Sequence, residues 1–287
     1  MRYSTLLIAA ALCGIVLLPP NRAAAESLTW TVGPCAYSFR LFTFFEAVDK
    51  TKEAGMAHIE AFEGQKVSPQ IDRPLNRELP DDVIEKIREK LDDAGVTLTS
   101  IYIHDIPGDP KACEAVFAFA KKLGVKAIVS EPNPKAIDVI EEHCKKHRIA
   151  LALHNHPKGT SRYWHPEDVL KACEGRSEWV GACGDSGHWT RSGLDPVECV
   201  RMLGKRLLTM HVKDLNAFGD PKAHDLPWGT GKGNVAGILA EVDRLGLEPI
   251  LFGIEYEYNW ENSVPEIRAC GEFFRKKAKE LGNDVRR

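Results

Sequence analysis

The chain has 287 residues, of which 28% are charged, and a formal net charge of −3 at pH 7. This length suits one large domain of barrel type or two small domains. A mildly acidic chain lacks the basic face that nucleic acids attract, so we expect no nucleic-acid partner.

The first 25 residues have the pattern of a secretory signal peptide. Arg2 precedes the apolar run Leu6–Leu18, and Ala23–Ala25 offers a small-residue cleavage site before Glu26. The run is too short for an ordinary membrane span, and an uncleaved N-terminal anchor is the alternative. We therefore expect residues 26–287 to form an exported domain, periplasmic or secreted, that has no membrane attachment after cleavage.

After this segment, short apolar runs alternate eight times with amphipathic segments. Continuous apolar runs are typical of parallel strands buried on both faces, and amphipathic segments are typical of helices. The predicted strands are Leu28–Val32, His58–Phe62, Thr97–Ile103, Lys126–Ser130, Ile149–Leu153, Trp179–Cys183, Arg206–Met210 and Pro249–Ile254. The helices predicted to follow them in turn are Phe42–Ala54, Pro80–Gly95, Pro110–Leu123, Pro134–His147, Pro166–Glu174, Asp195–Leu203, Asn234–Leu245 and Ser263–Leu281.

The second helix carries clear end signals, because Asp81 or Asp82 is placed to cap its start and Gly95 to close its end. Eight strand–helix units in about 250 residues match a (β/α)8 TIM barrel. An open, doubly wound sheet is the alternative, but no glycine-rich phosphate loop follows the first strand. We therefore predict a single-domain barrel over residues 26–287.

Cysteine usage gives no sign of a structural metal site. The seven cysteines after residue 25 show neither CxxC nor zinc-finger spacing. Export permits disulfides, but the spacing requires none. We expect most of these cysteines to be small buried hydrophobic residues.

Almost every predicted strand ends in histidine or a charged residue. TIM barrels carry their chemistry at the C-terminal ends of the strands, so these side chains converge on one axis if the barrel is correct. In strand order they are Glu60 and Glu63, His104, Glu131, His154 and His156, Asp185 and His188, His211, Lys213 and Asp214, and Glu255 and Glu257.

Such a convergence of carboxylates calls for a cation. Gathered carboxylates repel one another and raise each other's pKa unless a positive charge neutralises them. Mixed carboxylate and imidazole ligands suit Mn²⁺, Co²⁺, Fe²⁺, Zn²⁺ or Mg²⁺. We therefore predict a divalent metal site, and a solvated rim of ion pairs is the alternative.

Four motifs give the chain a resemblance to the xylose-isomerase-like TIM-barrel superfamily, often called sugar phosphate isomerases/epimerases. They are DSGH at 185–188, HVKD at 211–214, GTGKG at 229–233 and IEYE at 254–257. The resemblance covers essentially the whole chain after residue 25. It implies one divalent metal held by a Glu of strand five, an Asp of strand six, a His of strand seven and a Glu of strand eight.

Carried over, the resemblance implies Asp185, His211 and Glu255 as metal ligands. Strand five departs from the family pattern, since it reads HNH where the family usually has ENH, and His154 stands in the place of the glutamate. Glu131 on the neighbouring strand is a second candidate, so either residue or both complete the metal sphere. The family's two glutamates also form the acid/base pair, and His154 does not match such a symmetric mechanism.

The resemblance implies general acid/base chemistry on a carbohydrate, with a metal that polarises a carbonyl and stabilises an enediolate. The candidates for proton transfer are Glu255, Glu257, His154 and His156. Lys213 or His188 is a candidate to hold the developing oxyanion. The candidates for substrate contact are Glu60, His104, His188, Trp189 and Trp164, the tryptophans as flat walls for a sugar ring.

Reprotonation of the enediolate gives isomerisation or epimerisation. Export favours an unphosphorylated substrate, because sugar phosphates are cytoplasmic. We therefore predict a metal-dependent sugar isomerase or epimerase. A lyase or dehydratase acting on keto-sugars, inososes or 3-keto-glycosides is the main alternative. A non-catalytic sugar-binding barrel and a nuclease resembling endonuclease IV are two more, and a homo-oligomer is compatible with the sequence.

Overall fold

The computed structural model describes residues 27–286, so the predicted signal peptide lies outside the described residues. Within this range, eight parallel strands form one nearly closed barrel. Its strands are β1 (Val32–Pro34), β2 (His58–Phe62), β3 (Thr97–Tyr102), β4 (Ala127–Ser130), β5 (Ala150–His154), β6 (Val180–Asp185), β7 (Leu207–Val212) and β8 (Phe252–Ile254). The predicted TIM barrel is confirmed.

The strands follow one another around the barrel in chain order. Each strand from β2 to β8 pairs with the next, and β8 pairs with β1. Between β1 and β2 a single parallel bridge joins Cys35 to Glu60. All eight strands therefore point the same way, and their C-terminal ends surround one opening.

Helices surround the barrel and connect successive strands. Their bounds are α1 (Phe44–Glu53), α2 (Asp81–Ala94), α3 (Pro110–Leu123), α4 (Ile137–His147), α5 (Pro166–Ala172), α6 (Ser186–Arg191), α7 (Pro196–Leu203), α8 (Val235–Arg244) and α9 (Val264–Leu281). Their apolar faces pack on the outside of the sheet in one continuous core. No helix among residues 27–286 is long and apolar enough to span a bilayer.

The first predicted strand is divided in two in the structure. Thr29–Trp30 pairs with Asp284–Val285 outside the barrel, and β1 begins only at Val32. The reason is the buried Trp30 ring, which packs 5.0 Å from the ring of Phe252 and 5.8 Å from that of Phe274. One apolar run therefore contains both a short strand outside the barrel and the start of β1, and strand periodicity alone does not show where one ends and the other begins.

The start of α2 differs from the sequence expectation. Pro80 occupies the cap position and no side chain caps the helix, so the expected cap by Asp81 or Asp82 is wrong. Both aspartates lie in the first turn, where their charge still favours the helix dipole. Gly95 adopts a left-handed conformation with φ of 63° and ends the helix as predicted.

The cysteine expectation is confirmed for residues 27–286. All seven cysteines in this range are buried and none forms a disulfide. Cys183 lies inside the barrel with Val129 and Ala152, where small side chains fill the space between the strands.

The carboxylate of Glu141 on α4 fixes the loop before β6. It accepts hydrogen bonds from the Ser177 backbone N–H at 2.9 Å and from Ser177 Oγ at 2.6 Å, and Lys145 Nζ lies 2.8 Å away. Burial alone would raise the pKa of Glu141, but Lys145 and the Ser177 donors outweigh burial and lower it to about 2.

We predict that Glu141→Gln destabilises the protein by about 2 kcal/mol at pH 7, the scale of hydrogen bonds to a charged group. A folded-state pKa below the unfolded value stabilises the protein above the unfolded pKa, and this contribution is lost as the pH falls through the folded one. The difference in unfolding free energy between wild type and variant should therefore shrink as the pH falls from about 4 to 2. The control is Glu142→Gln on the exposed face, and an unchanged difference across this pH range would refute the assignment.

Candidate active site

Four buried side chains from strands β5 to β8 meet at the C-terminal end of the barrel. His154, Asp185, His211 and Glu255 each place one potential ligand atom within 4.8 Å of the others. The strand register explains this meeting, because Asp185 lies directly opposite His211 and the Glu255 N–H bonds to the carbonyl of Val212 at 3.3 Å. Parallel strands in register therefore present these groups at nearly one height.

The two imidazoles of this group are held from behind by carboxylates. His211 Nε2 lies 2.6 Å from Glu60 Oε1, and His154 Nδ1 lies 3.1 Å from Glu131 Oε1. The other nitrogens, His211 Nδ1 and His154 Nε2, are buried without a hydrogen-bond partner. Metal-bound histidines typically have this arrangement, with one nitrogen on a carboxylate and the other on the metal. Two imidazoles and two carboxylates also form a suitable ligand set for a divalent transition metal, so the group fits such an ion.

Glu131 lies outside this group of four, although the sequence leaves it open as a ligand. Its Oε1 contacts Nδ1 of both His154 and His156, and its Oε2 accepts a hydrogen bond from Ser161 Oγ at 2.6 Å. Burial would raise the pKa of Glu131, but the two histidines outweigh it and hold the pKa well below its usual value. Glu131 is therefore an ionised carboxylate that orients two rings.

Lys213 is fully buried behind the carboxylates of the group. Its Nζ lies 2.6 Å from Asp185 Oδ2, contacts the Glu255 carboxylate and lies 3.4 Å from Glu257 Oε2. Burial would lower the pKa of Lys213, but these carboxylates outweigh it and hold the pKa well above its usual value. Gly187 makes this position possible, since a Cβ there would lie 2.5 Å from Lys213 Cδ. Lys213 therefore balances and positions the carboxylates, and it is not part of the cavity wall.

A cavity of about 330 Å³ opens above the group. Ligand pockets in proteins have volumes of roughly 300–1,000 Å³, so this cavity suits a small molecule. Its walls include the aromatic rings of Tyr37, Phe62 and Tyr102. The site residues predicted from the sequence that also line the wall are Glu60, His104, His154, His156, His188, Glu255 and Glu257. No lysine or arginine of the described part of the chain lines it.

The two tryptophans lie elsewhere than predicted. Trp189 is buried in the apolar core and is not part of the cavity wall, and a Cβ on Gly184 would come within 2.5 Å of its ring. Trp164 packs beside Lys158, whose Nζ lies 5.0 Å from the ring centroid, and is not part of the cavity wall. The aromatic rings that do line the cavity are not among the site residues predicted from the sequence. Strand parity points to two of them, because Phe62 lies two residues after Glu60 and Tyr102 lies two residues before His104.

The HVKD and GTGKG motifs meet in a structural contact. Asp214 accepts backbone hydrogen bonds from Gly229 at 2.8 Å, Gly231 at 2.9 Å and Gly233 at 2.7 Å. A Cβ on Gly231 would lie 2.5 Å from Asp214 Oδ1, so glycine is required for this close approach. The loop thus wraps around a carboxylate and fixes the chain that follows Lys213.

Comparisons with known proteins show which family this chain resembles. Residues 48–277 match the family model described as xylose isomerase-like TIM barrel. A putative uncharacterized protein from Parabacteroides distasonis is 33% identical, with a TM-score of 0.70 over 86% of this chain and 98% of its own.

More distant solved structures share the fold. A D-psicose 3-epimerase solved with D-fructose is 13% identical, with a TM-score of 0.67 over 88% of this chain and 99% of its own. The IolI protein with a bound zinc atom is 15% identical, with a TM-score of 0.63 over 88% of this chain and 99% of its own. A curated relative, the uncharacterized protein y4fM of Sinorhizobium fredii, is 27% identical over 101 residues, 35% of this chain. The match spans about a third of that relative's length, 32%.

We predict that Asp185→Ala and His211→Ala each abolish metal binding at this group, because each removes a ligand. Glu131→Gln should weaken metal binding by about 10- to 100-fold, the usual effect of losing a carboxylate behind a ligating histidine. Competition with a chromogenic chelator measures both effects. Glu63→Gln, a carboxylate outside the cavity wall, is the control, and wild-type metal affinity in Asp185→Ala and His211→Ala would contradict the site.

Proposed function

The chain belongs to the xylose isomerase-like TIM-barrel family, and we propose that it is a divalent-metal-dependent isomerase or epimerase of an unphosphorylated carbohydrate. The observation that carries this proposal is the buried group of His154, Asp185, His211 and Glu255 with two unpartnered imidazole nitrogens below a small cavity. The sugar epimerase among the fold neighbours and the zinc atom in IolI support it.

In this proposal, His154 Nε2, His211 Nδ1 and the carboxylates of Asp185 and Glu255 hold the metal. When bound, such an ion polarises a substrate carbonyl and so acidifies the neighbouring C–H bond. Lys213 keeps the two carboxylates in place from behind. Mn²⁺, Co²⁺, Zn²⁺ and Mg²⁺ all remain candidates for the ion, because carboxylate and imidazole ligands accept each of them.

Proton transfer is assigned to His156 and Glu257, which both line the cavity. Glu131 orients the His156 ring through Nδ1, which leaves Nε2 for the substrate. An imidazole with one nitrogen held by a carboxylate can give or take a proton through the other nitrogen. Glu257 lies 3.4 Å from Lys213 Nζ and 3.5 Å from Arg191 Nη1, and both cations keep its carboxylate in place. In this proposal, His156 and Glu257 take the acid/base roles that the resemblance gives to two glutamates, because His154 occupies the position of one of those glutamates.

The cavity wall supports an uncharged substrate. A phosphate group is usually bound by arginine, lysine or helix N-terminal N–H groups, and neither cationic side chain lines the cavity. Glu60, Glu255 and Glu257 in the wall would repel a phosphate. The rings of Tyr37, Phe62 and Tyr102 offer flat apolar faces for the C–H faces of a sugar. Export of the protein, proposed from residues 1–25, is consistent with such a substrate.

A lyase is the second candidate, and His156 is the observation that favours it. Both reactions begin when a base removes the proton next to the substrate carbonyl. In the lyase, the β carbon–oxygen bond then breaks, and an acid such as protonated His156 delivers a proton to the departing oxygen. In the epimerase, a proton returns instead to the same carbon from the opposite face. In the isomerase, a proton is delivered to the former carbonyl carbon, while the hydroxyl proton of the neighbouring oxygen moves to the former carbonyl oxygen.

Proton NMR in D₂O tests this proposal. We expect metal-loaded protein to introduce deuterium next to the carbonyl of an unphosphorylated ketose, aldose, inosose or 3-keto-glycoside, because the proton removed exchanges with solvent. The product then distinguishes isomerase, epimerase and lyase. Protein stripped with EDTA should be inactive. Metal-loaded protein that exchanges no proton in any of these substrates would contradict the proposal.

His156→Gln should lower kcat by about 10²- to 10⁴-fold, the usual contribution of a general acid or base. The side chain does not belong to the group of four, so metal affinity should change little. His165→Gln, a histidine outside the cavity wall, is the matched control. Wild-type kcat in His156→Gln would exclude this residue from proton transfer.

A further inference from the structure

A second cluster of potential metal ligands lies outside the barrel, between α3 and α4. Glu114 of α3 faces His143 and His147 of α4, and one ligand atom from each residue lies within 4.8 Å of the others. Glu114 Oε2 lies 2.9 Å from His143 Nδ1 and 3.0 Å from His147 Nε2. None of the three residues lines the cavity. We propose that Glu114, His143 and His147 form a separate binding site for Zn²⁺ or a similar transition-metal ion.

The helix geometry preorganises the two imidazoles. His143 and His147 are four residues apart, so they lie on the same face of α4. The Phe117 ring of α3 packs against both, with centroid distances of 5.9 Å in each case. The side chains of His143 and His147 are only 12% and 8% exposed, whereas Glu114 is 37% exposed. The two imidazoles are therefore held in place by packing, and a metal ion reaches them from solvent past the more exposed carboxylate of Glu114.

The distances suit a tetrahedral ion. Bonds of 2.0–2.1 Å from a central ion to nitrogen and oxygen place neighbouring ligand atoms about 3.3 Å apart. The observed nitrogen–oxygen distances of 2.9 and 3.0 Å need to open by only a few tenths of an ångström. The two imidazoles favour Zn²⁺ or Cu²⁺, because imidazole nitrogen binds these ions well, whereas Mg²⁺ and Ca²⁺ prefer sites made of oxygen ligands. Water supplies the remaining position.

Lys146 competes with a metal for the same carboxylate. Its Nζ lies 2.9 Å from Glu114 Oε2, and its side chain is 61% exposed. An exposed lysine can move away into solvent, so Lys146 weakens metal binding without preventing it. Removing its charge should therefore strengthen metal binding. If the cluster were only a network of ion pairs, the same change would have no effect on metal.

Zinc titration of the full chain by calorimetry tests this site. Wild type should bind one more equivalent of Zn²⁺ than the double variant His143→Gln/His147→Gln. Circular dichroism confirms that the double variant is folded, and the single variant Glu114→Gln provides a milder second test through a weaker affinity for the extra equivalent. Equal zinc stoichiometry in wild type and the folded double variant would overturn the proposal.

A matched pair of lysine variants tests the position of the ion. Lys146→Gln should tighten binding of the extra equivalent about two- to fivefold, the scale of one exposed ion pair. Lys145→Gln removes the same charge from the same turn, but Lys145 pairs with Glu141 and should leave the affinity unchanged. Equal tightening by both variants would overturn the assignment to Glu114.

The cluster lies outside the cavity, so the double variant His143→Gln/His147→Gln should keep the activity of the barrel site. The proposed metal site between α3 and α4 and the proposed function can therefore fail independently of each other.

Discussion

The structure depends on burying opposite charges together at the C-terminal end of the barrel. Asp185, Glu255 and Lys213 have almost no solvent exposure, and a charge left unpaired in such a place costs several kcal/mol. The ammonium group of Lys213 neutralises part of the negative charge. The carboxylate of Glu60 contacts the His211 imidazole, and that of Glu131 contacts the His154 imidazole. The strands must keep their register for these contacts to form, so the chemistry of the site and the stability of the barrel rest on the same residues.

This constraint explains why several family motifs combine reactive groups with glycines. Asp185 both belongs to the group of four and caps α6, since its Oδ1 accepts the His188 N–H at 2.8 Å. Gly187 leaves room for Lys213, and the glycine loop around Asp214 fixes the chain after it. On β5, His154 stands where the resemblance implies a glutamate, and Glu131 supplies a carboxylate next to its imidazole. A carboxylate therefore lies next to His154 although this strand position holds an imidazole.

Much of the fold is predictable, because eight continuous apolar runs indicate parallel strands and the helix ends carry glycine signals. Strand periodicity fails at Trp30, whose short strand pairs outside the barrel, and at α6, a short helix with no apolar period. The strand-end rule predicts which charged groups converge, since parallel strands share one direction. It does not predict the depth of each side chain: Lys213 and Trp189 are buried and are not part of the cavity wall, although they follow strands that deliver site residues.

We propose that His154, Asp185, His211 and Glu255 bind a divalent metal and that Glu131 orients the His154 ring. Anomalous diffraction from crystals soaked in Zn²⁺ or Mn²⁺ tests this most directly. We expect a peak about 2.0–2.2 Å from His154 Nε2 and His211 Nδ1 with both carboxylates in contact. A peak coordinated by Glu131 in place of His154, or no peak among these residues, would contradict it.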